Sequence, residues 1–387
     1  MVKLNWGMVG GGEGSQIGPT HRMSATVDGL FSFVAAALDV DPGRGQSFAQ
    51  RLGVASDRAY PDWRSMLERE RIRPDCIDLV TIATPNATHY EIAKAFVEAG
   101  IAVLCEKPMT ATVSEAERLV EAVRRSGGVF AVNFGYSGYP LVRHMRAMVG
   151  RGDLGKVRLI KAEFAHGFHA DASDADNPRV RWRYDPSQAG LSAQFADCGV
   201  HALHMASYVS GQHPCELSAD FVSCVESRTL EDDAMVNVRM SGGAVLRLWT
   251  SSIAVGRMHG LAIQVFGEKG GLRWAQERPN QLFWTPLNRR TEIIERGEPG
   301  LSAEAKRASR LTIGHAEGMP LAFANIYADV AEAIVGQKKD CSETTGAFPT
   351  VEDGLRSVTA THAAVESARQ EGRWVDARPA SLHGAGS

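Results

Sequence analysis

Val103-Leu104-Cys105-Glu106-Lys107-Pro108-Met109 is the stretch on which the reading of this chain turns. Residues 102–105 are apolar or small and make a short buried strand, which a Glu-Lys pair ends just before a proline. Pro108 can neither donate to a sheet ladder nor sit inside a helix, so the chain must turn and hold Lys107 at the carboxyl end of the strand. Open α/β sheets bind their ligands outside that end. A lysine held there, partly desolvated, suits a group that grips or ionises a substrate hydroxyl. The same heptapeptide also reads as an ordinary strand end with a solvated lysine, and the flanking segments decide between the two.

Upstream, residues 4–9 run into Gly10-Gly11-Gly12-Glu13-Gly14-Ser15-Gln16-Ile17-Gly18. A strand that breaks into glycines and then enters a helix lets backbone amides approach a pyrophosphate at the positive helix end. The spacing departs from G-x-G-x-x-G. Gly10 and Gly12 fit, Ser15 stands where the third glycine belongs, and Gly18 fits if Glu13-Gly14-Ser15 is an insertion. Residues 33–38 read as a second buried strand ending at Asp39, which follows Gly18 by the roughly 20 residues expected of an acid that binds the adenosine ribose hydroxyls. Such an acid repels a 2′-phosphate, so NAD is favoured over NADP, with Arg44 close enough in sequence to weaken the preference. A helix-capping turn before Pro42 would use Asp39 and Asp41 equally well.

Residues 77–83 form a third apolar strand, broken by Thr84-Pro85-Asn86, and 89–100 read as an amphipathic helix with Ile92, Ala93, Phe96 and Val97 on one face. After the opening strand comes a helix over 114–126, acidic early and basic late, and a fifth strand over 129–133. Strands alternating with helices describe an α/β, doubly wound parallel sheet of the Rossmann type, assigned to 1–135 as the NAD(P)-binding domain. Beyond it the pattern changes. Segments 157–165, 217–225, 234–240, 244–251, 261–266 and 281–284 are strand-like and joined by Gly-containing turns such as Ser241-Gly242-Gly243. They indicate a large, mostly antiparallel open sheet in a second α/β domain, 136–376, for substrate binding and oligomerisation. Helices over 321–335 and 351–370 are expected to return onto one of the two domains. The tail, 377–387, is small and polar and is expected to be disordered.

At 387 residues two domains are expected, and 44% hydrophobic with 22% charged residues is ordinary globular composition. A net charge of −3 without a Lys/Arg block argues against nucleic acid or an acidic membrane as partner. The N-terminus carries no apolar segment long enough for a signal peptide or a membrane span, so a cytoplasmic protein is expected. Six cysteines without a C-x-x-C pair read as reduced, mostly buried thiols.

A second chemical cluster lies at Asp197-Cys198-Gly199-Val200-His201-Ala202-Leu203-His204, preceded by Trp182-Arg183-Tyr184-Asp185-Pro186. If 196–210 is helical, Asp197, His201 and His204 share one face. A carboxylate beside a histidine orients it and raises its basicity, which prepares the imidazole to take a hydroxyl proton near neutral pH. The competing readings are a helix cap at Asp197 with incidental histidines, and an H-x-x-H metal pair. No third ligand stands nearby in sequence, and no metal is expected.

Taken together, these motifs resemble the glucose-fructose oxidoreductase / inositol dehydrogenase / rhizopine catabolism (Gfo/Idh/MocA) family. The matching pieces are Thr84-Pro85-Asn86 with His89, Glu106-Lys107-Pro108, Asp197-x-Gly199-x-His201, Gly152-Asp153-Leu154-Gly155-Lys156-Val157 and Asp353-Gly354-Leu355-Arg356. The resemblance implies a Rossmann domain, then an α/β domain whose open sheet often joins subunits, so a homo-oligomer, dimer or tetramer, is expected. It implies reversible oxidation of a secondary alcohol on a sugar or cyclitol. Lys107 would contact the reacting hydroxyl, with Asp197 and His201 as its acidic and basic partners. Cofactor contacts would come from Thr84, Asn86, His89, Glu106 and Lys107, besides Gly10, Gly12, Gly18 and Asp39. Substrate contacts would come from Lys107, Trp182, Asp197, His201 and His315. A cis Lys107–Pro108 peptide is also implied. The glycine loop departs from the family pattern, as do Ser192 and Gln194, which stand where relatives often have more glycine. Gly314-His315-Ala316-Glu317-Gly318-Met319 resembles a loop in a subgroup that includes enzymes oxidising the 3-hydroxyl of glucosides. Its other reading is a helix start at which Glu317 favours the dipole.

The leading expectation is an NAD-dependent dehydrogenase that oxidises a secondary hydroxyl of a sugar, a glycoside (at C3 among others) or an inositol. His201 would accept the hydroxyl proton and Lys107 would stabilise the developing alkoxide. Other readings are an NADP(H)-dependent ketosugar reductase, a glycosidase using bound NAD transiently, and a non-catalytic sugar or nucleotide sensor. Lys107, Asp197 and His201 together favour chemistry, since a sensor has no need of all three.

Overall fold

The computed structural model describes residues 3–177, 180–226, 228–338 and 348–382. It divides into two compact units, Met1–Gly138 with Met319–Leu355, and Tyr139–Gly318 with Arg356–Ser387.

The first unit is built on five parallel strands, β1 (Leu4–Gly10), β2 (Phe31–Ala37), β3 (Leu79–Ala83), β4 (Ala102–Cys105) and β5 (Phe130–Val132), in the order β2-β1-β3-β4-β5. The strands are short and mostly apolar because a parallel sheet with helices on both faces buries most of its residues. β4 is buried along its whole length. The helix His89–Glu98 buries Ile92, Ala93, Phe96 and Val97, the face expected from its periodicity. Val113–Ser126 starts at a capping box between Thr112 and Glu115 and stops at Gly127, whose φ of 64° suits glycine.

Met319–Leu355 was expected within the second domain but clusters with the first. The reason lies in its helix, Met319–Lys338, which is apolar nearly all round. Ile326, Tyr327, Val330 and Ile334 join Trp6, Phe31, Leu79 and Leu104 in one core. The contact is close: a Cβ on Gly138 would lie 2.0 Å from the Ala322 carbonyl oxygen.

The second unit holds a nine-stranded sheet. Its strands are β6 (Val157–Ala165), β7 (Pro214–Val222), β8 (Asp233–Met240), β9 (Val245–Ser251), β10 (Gly260–Gly267), β11 (Gly270–Ala275), β12 (Gln281–Pro286), β13 (Glu292–Glu295) and β14 (Val375–Asp376), in the order β13-β12-β11-β10-β6-β9-β8-β7-β14. β6 and β9 are parallel and every other pair is antiparallel. One face is buried under Pro140–Gly150 and Val200–Ser210; Val236, Leu248, Ile263 and Ile160 point into it. The other face is open.

β11, β13 and β14 were not read from the sequence. β11 begins on two glycines, β13 is flanked by charges and β14 has two residues, so none shows a run long enough to declare a period. The tail expected to be disordered is ordered as far as it is described. β14 pairs with β7, the buried Ala377 donates its N–H to the Cys215 carbonyl at 2.8 Å, and a 3₁₀ turn spans Ala380–Leu382. Residues 383–387 of that expectation lie outside the described ones. Among the described residues, no helix is long and apolar enough to cross a membrane, and the cysteines carry free thiols. Cys341 is outside the described residues.

Candidate functional site

The glycine loop of the first unit forms a cradle with no room for side chains. Gly10 and Gly11 have φ of 78° and 68°, and a Cβ on Gly10 would lie 2.4 Å from the Ala83 carbonyl oxygen. On Gly12 it would lie 2.5 Å from the Leu38 carbonyl oxygen, and on Gly18 2.2 Å from that of Gly11. The inserted residues fold into a turn in which Ser15 N–H donates to Gly12 O and Gly18 N–H to Ser15 Oγ, each at 3.1 Å. Gly18, the first residue of the helix Gly18–Thr26, thereby packs on the loop as a third fingerprint glycine would. Bare backbone amides at a helix start fit the pyrophosphate of a dinucleotide.

Asp39 stands two residues past β2. Arg44 clamps it through both oxygens, Nη2 to Oδ1 at 2.6 Å and Nε to Oδ2 at 2.7 Å, and that bond holds the carboxyl below its ordinary pKa. The two acidic roles separate here: Asp41, accepting the Arg44 N–H at 2.7 Å, is the cap of Pro42–Arg51, and Asp39 stays at the strand end.

At the ends of β3 and β4 the motif residues hold one another. Asn86 opens a 3₁₀ turn after Thr84, and Thr88 donates its hydroxyl to Thr84 Oγ1 at 2.8 Å. His89, read from sequence as a cofactor contact, is fully buried with its ring between two backbone carbonyls, Pro108 O and Thr84 O, each 2.8 Å away. The ring thus stands between the two strand ends and, kept neutral by burial, donates to one of the two carbonyls. Glu106 is also engaged within the protein. Its Oε1 faces His21 Nε2 at 3.0 Å and accepts from Asn133 Nδ2 at 2.5 Å, while Oε2 accepts the Lys107 N–H at 3.1 Å. Burial alone would raise the Glu106 pKa, but the bonds from His21 and Asn133 and the charge of Lys107 more than offset it and leave it lowered. The Lys107–Pro108 peptide is cis, as the resemblance implied. Gly354 packs beneath this corner, where a Cβ would lie 2.5 Å from Met109 Sδ.

In the second unit the helix expected over 196–210 begins as a π-helical turn, Phe195–Gly199, before Val200–Ser210. A Cβ on Gly199 would lie 2.4 Å from the buried Phe195 ring, so the wide turn needs glycine there. Its start hangs on Glu231, a buried carboxylate the sequence did not flag. Glu231 accepts the Ser192 hydroxyl at 2.5 Å, the Ala193 N–H at 3.2 Å and the Phe195 N–H at 3.0 Å, and burial raises its pKa. Gln194 Nε2 donates to Thr250 Oγ1 at 2.9 Å, and Thr250 donates to the Phe164 carbonyl at 3.0 Å. Ser192 and Gln194, the departures from the family pattern, are therefore anchors of this turn.

Asp197 is half exposed and lies 3.7 Å from Arg183 Nε. His201 and His204 diverge. The His204 ring stacks on Tyr208 at 6.0 Å, and Arg146 covers that tyrosine at 4.6 Å. His201, 9% exposed, packs on Phe164 with centroids 6.1 Å apart. Phe164 also meets His259 at 6.1 Å and His166 at 6.5 Å, so three imidazoles ring one phenyl. Burial, with the charges of His169 and His259, pushes His166 down to about 4. Burial also lowers the pKa of His259, and a neutral imidazole offers one donor and one acceptor. His166 and His259 went unnoticed because their proximity depends on register: β6 and β10 pair Ala165 with Gly260, one step from each.

The Trp182 backbone lies in the 3₁₀ turn Arg181–Tyr184; its side chain is outside what is described. His315 is exposed, with Nδ1 3.1 Å from Thr312 Oγ1. Its loop is wound round the buried Arg296 guanidinium, which donates to the carbonyls of Leu311 at 2.6 Å, Thr312 at 3.0 Å and His315 at 2.5 Å. Glu317 pairs with Arg296 at 3.0 Å and accepts the N–H groups of Arg310 and Leu311, so it braces the loop and is not a dipole partner of the following helix. Among the described residues, no group of three or more His, Cys, Asp or Glu is placed to hold a metal ion.

Residues 4–134 match the GFO_IDH_MocA family, described as an oxidoreductase family with an NAD-binding Rossmann fold, and 142–273 match the GFO/IDH/MocA C-terminal domain. An uncharacterised oxidoreductase of Bacillus subtilis, YfiI, is 37% identical over 379 residues, 96% of each chain. Among solved structures, an inositol dehydrogenase homologue from Azotobacter vinelandii complexed with NAD+ has a TM-score of 0.93 and 39% identity, covering 97% of each chain. An inositol dehydrogenase homologue from the same organism, complexed with NADH and myo-inositol, has a TM-score of 0.90 and 38% identity, again over 97% of each.

Proposed function

The chain belongs to the GFO/IDH/MocA oxidoreductase family, and from that premise we propose that it oxidises a secondary hydroxyl of a cyclitol or sugar to the ketone. It is an oxidoreductase with an NAD-binding Rossmann domain, and the glycine cradle suits that dinucleotide. The observation that carries the substrate class is the likeness, over 97% of both chains, to a protein solved with NADH and myo-inositol. Bound NAD supplies the hydride acceptor.

The protein's own side chains do the remaining work. His201 takes the hydroxyl proton as general base, and Asp197 raises its basicity. The Lys107 ammonium steadies the oxygen as negative charge develops on it, and Glu106 fixes the lysine backbone. Thr84 and Asn86, at the end of β3, are assigned to the cofactor. His89 and Glu106, whose polar atoms are engaged within the protein, act on it through the loops they hold. Trp182 and His315 are assigned to the substrate, and the braced loop bearing His315 bears on whether the 3-hydroxyl of a glycoside is accepted.

NADH formation, followed by its absorbance across a panel of inositols, hexoses and glycosides with added NAD, tests the reading. Turnover on at least one polyol is expected. A sensor would give none on any, and a glycosidase with trapped cofactor would cleave glycosides without net NADH.

A further inference from the structure

A line of buried polar side chains crosses the core of the first unit. The Trp6 indole N–H donates to Thr81 Oγ1 at 2.9 Å, Thr81 Oγ1 lies 2.8 Å from the Tyr327 hydroxyl, and that hydroxyl lies 2.9 Å from His21 Nδ1. His21 Nε2 then meets Glu106 Oε1 at 3.0 Å. Trp6, Thr81, Tyr327 and His21 are all buried to within 1% of completely. They come from β1, β3, the helix Met319–Lys338 and the helix that leaves the glycine cradle.

The direction of this line follows from its ends. An indole N–H only donates and a carboxylate only accepts. With His21 Nε2 donating to Glu106 and Nδ1 accepting, Thr81, which accepts from Trp6, passes its own hydrogen to Tyr327, and Tyr327 passes its hydrogen to His21 Nδ1. In this arrangement every donor has an acceptor. With a hydrogen on Nδ1 as well, one hydroxyl hydrogen, of Thr81 or of Tyr327, would be left without an acceptor among these side chains. The line ends where the Glu106 carboxylate holds the Lys107 N–H.

We propose that Tyr327 and His21 are positioning residues for Lys107: the one-way line fixes the Glu106 carboxylate, which in turn fixes the backbone of Lys107 and faces its ammonium as counter-charge. This rests on the reading in which Lys107 touches the reacting hydroxyl. The line also ties Lys107 to the helix of the cofactor cradle through a single bond from His21. The titratable groups that act on Glu106 are His21 and Lys107, and Glu106 acts in turn on Cys105, His89 and Tyr327.

The test needs no substrate. Lysines of the intact protein are reductively methylated with ¹³C-formaldehyde, the dimethyl-Lys107 resonance is assigned by its loss in Lys107→Arg, and its chemical shift is titrated. Tyr327→Phe removes the hydroxyl but keeps the ring, which packs edge-on against Trp6, Phe31 and His21. The Lys107 midpoint should fall by roughly half a unit to one unit in Tyr327→Phe and His21→Asn, and less in Thr81→Val, with the fold intact by circular dichroism. Unchanged titration in Tyr327→Phe and His21→Asn overturns the proposal, as does a shift in Glu106→Gln that neither variant shares. Turnover with the polyols of the panel separates this from the functional reading. Full activity in Lys107→Ala would sink Lys107 as a catalytic group while leaving the line and its titration standing.

Discussion

Asp39 and Arg44 make cofactor choice a question about two side chains. On the proposed reading the carboxylate repels a 2′-phosphate, and Arg44 pairs with it through both oxygens. We expect NAD to be preferred over NADP by at least tenfold in kcat/KM, about 1.4 kcal/mol. Asp39→Ser should shrink that gap by releasing the guanidinium to meet the phosphate, whereas Arg44→Ala should widen it. Steady-state kinetics with both dinucleotides check each arm. At the second chemical centre, His201→Ala should lower kcat roughly 10²–10⁴-fold with NAD affinity nearly unchanged, because residue 201 lies outside the NAD-binding Rossmann domain, 4–134. His166, pushed down to about 4, is already neutral through the range where an ordinary imidazole titrates, so it adds no step to the pH profile there. We expect the acidic limb of kcat against pH to belong to His201. A limb that survives in His201→Ala but vanishes in Lys107→Ala would exchange the two roles.

At the scale of an element, the helix bearing Asp197 and His201 is held at its start by Glu231 and opened by Gly199. Glu231→Gln keeps the volume but sets an amide N–H₂ against a hydroxyl and two backbone N–H groups. Such an unsatisfied buried cluster should cost about 1–3 kcal/mol, read as a lower midpoint of urea unfolding, with KM for the polyol raised as the helix start loosens. Gly18→Ala is the counterpart in the first unit. Its methyl would sit 2.2 Å from the Gly11 carbonyl oxygen, so NADH affinity by fluorescence titration should fall at least tenfold, roughly 1.4 kcal/mol, before overall stability suffers. These elements mark how far the sequence could be read. Gly10, Gly18, Asp39 and Lys107 announce themselves through local spacing, because a glycine or a strand end has a meaning fixed within a few residues. Glu231, His166, His259 and Arg296 do not, since each reaches its partners through sheet register or loop return. The path of Met319–Lys338 was hidden for a related reason: a helix apolar on all sides says that it is buried but not in which core.

For the molecule as a whole, the open face of the nine-stranded sheet is the surface that asks for a partner. Register aligns its apolar side chains: Leu159 pairs with Phe266 on one side and Val245 on the other, and Met235 pairs with Trp249. Leu159, Phe266 and Met235 are 38%, 40% and 46% exposed. These are two apolar clusters on one sheet face, separated by the Lys161–Arg247 row, and together they offer the mixture of apolar and charged side chains found in a self-association surface. Because a twofold contact repeats the same patch on both partners, one substitution is felt twice. We expect a homo-oligomer by sedimentation velocity, and Phe266→Glu should convert it to the monomer by placing two unpaired carboxylates in the contact. The cradle and the His201 helix lie on other elements, so NADH binding should survive in the monomer. If Phe266→Glu sediments as the parent does, the assembly uses another surface; if the parent is monomeric at micromolar concentration, the open face has no second copy to meet.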